Sequence, residues 1–310
     1  MTQSFIRVTE LEEIQERVPT FLAVGSFDGV HLGHRQLLSA MVAKARKVSV
    51  RTAVLTFFPH PKRVIQNLQE PYYISTLSDR VRFIAEQGID LIITHPFDDE
   101  VRQMRAADFM ERLCQFVDLR QLWGGDFALG YKREGDIPFL RQLGQEKGYS
   151  VELATGMVDW GGKLVSSSRI RQSLADGNIE DVTGCLGRPF QLSGKIIKGN
   201  QRGRTIGFPT ANLDVWNELL LPANGVYATV ATVRGEQHIA ATNVGVRPTV
   251  EGQKLTIEAH LLDFDEDIYG ELMQLTFVNR LRSEQKFSGL DALKEQIKVD
   301  VANVRRILTV

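Results

Sequence analysis

The chain has 310 residues, 43% of them hydrophobic and 24% charged, with a net charge of −1. These values exclude a disordered or fibrous class, and the near-neutral balance argues against a dedicated nucleic-acid coat or a polybasic membrane binder. Cys114 and Cys185 lie outside any C-x-x-C spacing, which excludes a zinc ribbon and speaks against a secreted disulfide framework. No apolar run approaches the ~18 residues needed to cross a bilayer. The N-terminal Met1-Thr2-Gln3-Ser4 runs into Glu10, Glu12 and Glu13 without a basic-then-apolar leader pattern. A soluble cytoplasmic protein of about two domains is the expectation.

In chain order, Phe21-Leu22-Ala23-Val24 is a strand, followed by a glycine-bearing turn. A helix is predicted over residues 33–48, where Leu37, Leu38, Met41 and Val42 recur at helical spacing. Residues 52–57 form a second strand, 77–87 a helix stopped by Gly88, 91–93 a third strand and 106–117 a further helix. Such alternation predicts a parallel sheet covered on both faces. From about Gln191 the texture changes. Residues 226–233 and 239–246 flank Arg234-Gly235-Glu236-Gln237 as a hairpin. Leu255, Ile257, Ala259 and Leu261 alternate with Thr256, Glu258 and His260, residues 272–278 make another strand, and a helix closes the chain over 290–307. Short strands plus one terminal helix predict a small closed β-barrel. The clustering of Gly184, Gly187 and Pro189 places the boundary between residues 1–184 and 185–310.

Gly25-Ser26-Phe27-Asp28-Gly29-Val30-His31-Leu32-Gly33-His34 joins the first strand to the first helix. Its glycines let a ligand approach the backbone, and a helix start presents unpaired N–H groups and a positive dipole end to phosphate. His31 and His34, three apart, share one face and can donate hydrogen bonds to a phosphate gaining charge in a transition state. Zinc is the weaker reading, because no third ligand stands at a telling spacing.

The H-x-G-H core resembles nucleotidylyltransferases, with a cousin in class I aminoacyl-tRNA synthetases. The longer string resembles the FMN adenylyltransferase half of bacterial bifunctional riboflavin kinase/FAD synthetases. Thr56-Phe57-Phe58-Pro59-His60-Pro61 is similar to that family's T-F-x-P-H-P segment, which implies flavin contacts through Phe57, Pro59 and Pro61. Gly125-Asp126-Phe127-Ala128-Leu129-Gly130, followed by Arg133, Gly135 and Asp136, resembles a further segment and implies a flavin role for Asp126. Leu129 stands there in place of the usual Phe. Val165-Ser166-Ser167-Ser168-Arg169-Ile170-Arg171 resembles the I-S-S-T-x-I-R motif. The resemblance implies a Rossmann-like nucleotidyltransferase domain with catalytic His31, His34 and Arg171, and ATP held by Gly25, Phe27, Gly33, Ser167 and Ser168. The chemistry implied is attack of an FMN phosphate oxygen on the α-phosphorus of ATP, with release of pyrophosphate and help from Mg²⁺.

In the second half, Gly199-Asn200-Gln201-Arg202-Gly203-Arg204-Thr205-Ile206-Gly207-Phe208-Pro209-Thr210-Ala211-Asn212-Leu213 is the densest motif. A glycine-and-arginine loop can fold over phosphates, while Thr and Asn oxygens can ligate Mg²⁺. Gly207-Phe208-Pro209-Thr210-Ala211-Asn212-Leu213 closely resembles the riboflavin kinase signature, and residues 242–249 and 258–264 are similar to further segments of that family. The resemblance implies ATP contacts from Gly203, Arg204, Thr210 and Asn212, metal ligation by Thr210 and Asn212, and Glu258 as the base that takes the proton of the ribityl 5′-hydroxyl. Glu258 falls on the strand face opposite Ile257 and Ala259. Asp263, Asp265 and Asp267 open like a calcium loop, but Ile268 and Gln274 occupy its required Gly and Glu. Gly162-Lys163 and Gly194-Lys195 lack the rest of a P-loop.

The expectation is thus an α/β protein: an N-terminal parallel-sheet nucleotidyltransferase domain and a C-terminal β-barrel riboflavin kinase domain with a terminal helix. Riboflavin and ATP give FMN, then FMN and ATP give FAD, with small molecules as partners, no nucleic acid and no membrane. Self-association is compatible with the sequence. The rival readings are retention of a single activity, a tRNA-synthetase-like transferase, which lacks a K-M-S-K-S-like lysine motif here, and a flavin-binding regulator.

Overall fold

The computed structural model describes residues 5–153, 156, 158–199, 202–249 and 252–308; the side chains of Arg202, Arg204 and residues 247–249 and 252–255 lie outside that description. The chain divides into two compact units, Met1–Ser167 and Ser168–Val310.

The first unit is built on six parallel strands, β1 (Ile6–Val8), β2 (Pro19–Gly25), β3 (Arg51–Phe58), β4 (Leu91–Pro96), β5 (Asp118–Gly124) and β6 (Ser150–Leu153). Their order is β1-β4-β3-β2-β5-β6. The helices are α1 (Leu32–Lys47), α2 (Pro61–Ile65), α3 (Leu77–Ala85), α4 (Asp99–Gln103), α5 (Ala106–Phe116) and α6 (Ile137–Lys147). Strand alternation sorts β2 onto two cores. Leu22 and Val24 join Leu55, Ile93, Phe109, Leu113 and Leu140, whereas Phe21 and Ala23 join Leu38, Met41, Val54 and Ile84. Helices α5 and α6 therefore cover one face and α1 and α3 the other. Because β3 and β5 flank β2 on opposite sides, the order of winding reverses at β2. In doubly wound sheets the ligand crevice opens at the carboxyl ends of the strands beside that reversal, which is where Gly25 leads into the His31 loop. A short hairpin, β7 (Asp159–Trp160) and β8 (Lys163–Leu164), precedes α7 (Ser167–Asp176).

The second unit carries α8 (Ile179–Leu186) and six antiparallel strands closed into a barrel. They are β9 (Phe190–Ile197), β10 (Ala211–Asp214), β11 (Gly225–Val233), β12 (Glu236–Thr249), β13 (Gly252–Leu261) and β14 (Leu272–Arg282), in the order β10-β13-β12-β11-β14-β9. One helical turn, α9 (Arg202–Thr205), lies between β9 and β10, and α10 (Leu290–Leu308) ends the chain. The compact units part earlier than the change of sequence texture near Gly184, because α8 packs on β9 and β14. The β11–β12 turn is tighter than the residues suggest. Arg234 and Gly235 take positive φ of 52° and 86°, and Glu236 already pairs with Val233. Positive φ at both central residues matches the right-handed twist of the strands. Tyr227, Thr229, Val244, Ile257, Ala259 and Leu275 fill the barrel and are buried, and the Thr229 and Thr242 hydroxyls satisfy each other at 2.7 Å. On the outer face α10 lays Val304 against Ala228, Ala241 and Leu262.

Candidate active sites

The first site forms where β2 ends. Phe27 and Val30 both adopt left-handed backbone, with φ of 47° and 39°, around Gly29 at 78°. For a β-branched residue such as Val30 this conformation is strained by about 1–3 kcal/mol and persists only where surrounding contacts impose it. Asp28 supplies those contacts. Its buried carboxylate accepts the Ile74 N–H at 3.1 Å, the Ser75 N–H at 3.2 Å and the Ser75 hydroxyl at 3.3 Å, and Gly29 N–H donates back to Ser75 Oγ at 3.1 Å. Arg80, on the buried stripe of α3, faces the carboxylate at 3.7 Å with both side chains sealed from solvent. Removing either partner of such a pair strands the other charge, at a cost of about 3–5 kcal/mol.

The loop delivers His31 to the cap of α1. Its Nδ1 accepts the His34 N–H at 3.4 Å. A neutral ring whose Nδ1 accepts carries its proton on Nε2, which makes that atom a donor. The rings of His31 and His34 stack at 3.7 Å and 17°, and Phe27 meets His34 edge-on at 5.0 Å. His31 is 7% exposed and His34 half-buried. A Cβ on Gly33 would stand 3.3 Å from the His31 ring, and one on Gly25 3.1 Å from Phe27. The glycines therefore admit the imidazole and the phenyl ring as well as a ligand. Ser167 returns to this loop and donates to the Asp28 carbonyl at 3.3 Å. Ser168 is exposed, and Arg171 follows one turn along α7. The neighbouring Arg169 is committed elsewhere: it pairs with Asp181, which also accepts the Ser173 hydroxyl at 2.6 Å.

The residues with flavin assignments are more dispersed. Phe57 lies in the core against Phe97, Phe109 and His95 and is 7% exposed. Pro59 is exposed and Pro61, at the first position of α2, is half-buried. Asp126 is exposed and pairs with Arg133 at 3.4 Å. Leu129 is a core residue, its backbone bridged to Gly135.

The second site is a ladder rather than a loop. Asn212 on β10 is the register partner of Glu258 on β13, and Glu258 is in turn the partner of Asn243 on β12. Directly opposed residues in antiparallel strands have Cβ atoms ~5 Å apart. The three side chains thus form one row on the outer face, while their neighbours Ala211, Leu213, Ile257 and Ala259 point into the barrel and are buried. Of two cavities that touch at Thr210, one takes Asn243 and Glu258 of this row into its wall and the other is lined by the barrel-facing Ala211, Ala259 and Leu261. One, of about 280 Å³, includes Phe208, Thr210, Asn243, Glu258, Arg282 and Phe287 in its wall. The other, of about 320 Å³, includes Ile196, Thr210, Phe264, Asp265 and Tyr269. Thr210 belongs to both.

The loop before Thr210 is pinned twice. Phe208 N–H donates to the Gly203 carbonyl at 2.9 Å, and His260 Nδ1 lies 2.7 Å from the Pro209 carbonyl, with its ring edge-on to Phe208 at 5.5 Å. A Cβ at Gly203 would overlap the Phe208 carbonyl, and one at Gly199 the Asn212 amide. Arg282 grips Asp300 of α10 through Nε at 3.0 Å and Nη2 at 2.7 Å and so fixes the helical wall of the first cavity. The Arg204 side chain lies outside the described residues.

His31 with His34, and Thr210 with Asn212 and Glu258, are thus brought together as the motifs imply. The motif reading did not assign Asn243, His260, Arg80 or the Arg282–Asp300 pair. Arg80 and Asp300 had a signal. Each is a charged residue inside an apolar helical stripe, with Leu77, Val81 and Ile84 around one and Ile297, Val301 and Val304 around the other. Among the described residues no group of three or more His, Cys, Asp or Glu could hold a metal ion, and no helix is long and apolar enough to cross a membrane.

A doubly wound parallel sheet with paired histidines at a helix start, joined to a six-stranded barrel bearing a carboxylate beside Thr and Asn, defines a two-site nucleotide-dependent transferase. Residues 13–169 match the FAD synthetase family and residues 186–308 the riboflavin kinase family. The bifunctional riboflavin kinase/FMN adenylyltransferase of Escherichia coli K12 is 37% identical over 287 residues, spanning 92% of this chain and 91% of that protein. The bifunctional enzyme of Bacillus subtilis 168 is 33% identical over 292 residues, spanning 92% of each. The crystal structure of a macrolide-efflux protein from Streptococcus pneumoniae superposes with a TM-score of 0.85 at 28% identity, over 97% of this chain and 98% of that one. The chain belongs to the bifunctional riboflavin kinase/FMN adenylyltransferase family.

Proposed function

We propose that the segments 1–184 and 185–310 carry the two activities separately, each on the site described above. In the barrel, riboflavin occupies the cavity walled by Phe208, Phe287 and Glu258, and ATP the cavity that shares Thr210 with it. Glu258 accepts the proton of the 5′-hydroxyl as that oxygen attacks the γ-phosphorus, and ADP leaves. The geometry that supports this is the register pairing of Glu258 with Asn212 beside Thr210, which among the described residues is the one common to both cavities.

The donor set suits Mg²⁺. Thr210 and Asn212 offer hard neutral oxygens next to one carboxylate, too few for a resident ion but suited to one that arrives with phosphates and water. Bound there, Mg²⁺ would neutralise charge on the transferring phosphoryl group. Thr210 and Asn212 orient the phosphate chain, and the loop closed by His260 excludes water.

In the parallel-sheet region, an FMN phosphate oxygen attacks the α-phosphorus of ATP and pyrophosphate leaves. This nucleophile is already ionised near neutral pH and needs no strong base. His31, through Nε2–H, and His34 donate to the phosphate oxygens as charge develops. The start of α1 adds its dipole. Gly25, Phe27 and Gly33 shape the nucleotide's approach, Ser167, Ser168 and Arg171 bind its phosphates, and Pro59, Pro61, Asp126 and the Phe57 segment serve the flavin.

Incubating the protein with riboflavin, ATP and Mg²⁺ and separating the flavins over time tests the scheme. FMN should rise first and FAD follow. Formation of FMN alone would remove the adenylyltransferase assignment, recovery of unmodified riboflavin would remove the kinase assignment, and failure to make FAD from added FMN as well would remove both.

A further inference from the structure

We infer that Arg80 is a positioning residue for adenylyl transfer, holding the His31–His34 loop and the 56–61 segment in one register. The inference deepens the adenylyltransferase reading and rests on it. Three stretches of chain converge on this guanidinium, which is fully buried on α3. Its Nη1 donates to the Thr56 hydroxyl at 3.3 Å and the Phe57 carbonyl at 3.1 Å. Its Nη2 faces Asp28 Oδ1 at 3.7 Å. Its carbon stands 5.8 Å from the centre of the Tyr73 ring, and the Tyr73 hydroxyl accepts the His60 N–H at 2.9 Å. The Thr56 hydroxyl closes the circuit by donating to the Ser26 carbonyl at 2.8 Å.

Both motifs of the proposed site are therefore fastened to one cation. Asp28 sits between the two left-handed residues Phe27 and Val30 and holds the turn that places His31. Thr56, Phe57 and His60 belong to the segment that serves the flavin. A buried ion pair is weak evidence for stability, since apolar side chains of similar volume often do as well. What the guanidinium adds is a rigid fork that reaches a carboxylate, a hydroxyl and a carbonyl at fixed angles, which the flexible point charge of lysine cannot reproduce. In-line attack between two bound substrates is sensitive to such registration, with a displacement of ~1 Å costing ~100-fold in rate. Arg80 thus acts through the loops, and its effect belongs in kcat rather than in KM.

The test uses the full chain and compares kcat and KM for FAD formation with riboflavin phosphorylation in the same preparation. Arg80→Lys should lower kcat for FAD at least about tenfold, with KM for ATP and FMN within about threefold and the kinase rate retained. Thr56→Val, a milder change that removes only the bridging hydroxyl, should lower the same kcat by about threefold or more. The charge-free pair Asp28→Asn with Arg80→Met should raise Tm relative to Arg80→Met alone yet leave kcat low. A wild-type chain that makes FMN but no FAD overturns the adenylyltransferase reading and the inference with it. With FAD formation present in wild type, three results overturn the inference alone: an unchanged kcat in Arg80→Lys, a rise confined to KM, or losses that track Tm equally in both activities.

Discussion

The parallel-sheet region and the barrel solve the same problem, aligning a nucleophile with a nucleotide phosphorus, by opposite means. In the sheet the side chains proposed to act stand on a loop beyond the end of β2, in backbone that Phe27 and Val30 would not adopt unaided. Their placement is borrowed from a buried charge pair beneath them, Asp28 with Arg80. In the barrel, Asn212, Glu258 and Asn243 sit in the strands themselves, and ladder hydrogen bonds fix them in register. A parallel sheet offers its crevice only at the strand ends, whereas a closed barrel offers a rigid outer wall. The first centre should accordingly be vulnerable to changes in what lies under it, and the second to changes in what lies beside it.

The largest effect expected is in the barrel. Glu258→Gln keeps the shape of the row and removes the proposed base, and should lower FMN formation from riboflavin by about 10²–10⁴-fold while FAD formation from added FMN continues. Flavin separation after feeding each substrate measures both. Next comes His31→Ala, which removes a donor proposed to serve the phosphates and should lower FAD formation by about 10²–10³-fold without affecting the kinase. Equal loss of both activities in either variant, with folding intact, would break the contrast between two independent centres. Gly199→Ala sharpens it. The added methyl overlaps the Asn212 amide and should raise the kinase KM for Mg-ATP about tenfold, the scale of one lost hydrogen bond, with adenylyl transfer unchanged.

The smallest effect concerns stability of the sheet region. Burial pushes the Asp90 carboxyl up, but the Thr52 N–H, Arg46 and the Thr52 hydroxyl together hold it below the ordinary value. A folded-state pKa below the unfolded one contributes stability above the unfolded pKa, and that contribution is lost as pH falls through the folded one. Urea unfolding of wild type should therefore weaken more than that of Asp90→Asn on going from about pH 6 to about pH 3. Parallel loss in the two proteins would assign the acid sensitivity to other carboxylates.

Much of this was legible in the chain itself. Apolar runs of three to six residues marked β2, β3 and β4, helical spacing marked α1, α3 and α5, and period-two alternation placed Glu258 opposite Ile257 and Ala259. Contiguous motifs exposed His31 with His34 and Thr210 with Asn212 as candidates, because a helix start and a strand end each gather polar groups within a few residues. Arg80 and Asp300 were visible only as charges out of place in apolar stripes, with nothing local to say what they meet.

The sequence by itself determined two folding regions of different period and the residue types of two candidate phosphate-handling sites, since periodicity and loop chemistry are local properties. Only the tertiary structure decided that Phe57 turns into the core while Asp126 faces solvent, and that Asn243 completes a row with residues 15 and 31 positions away. It also decided that one sealed guanidinium fastens the His31 loop to the 56–61 segment. Register across strands and compensation of a buried charge depend on partners far along the chain, and packing alone selects those partners.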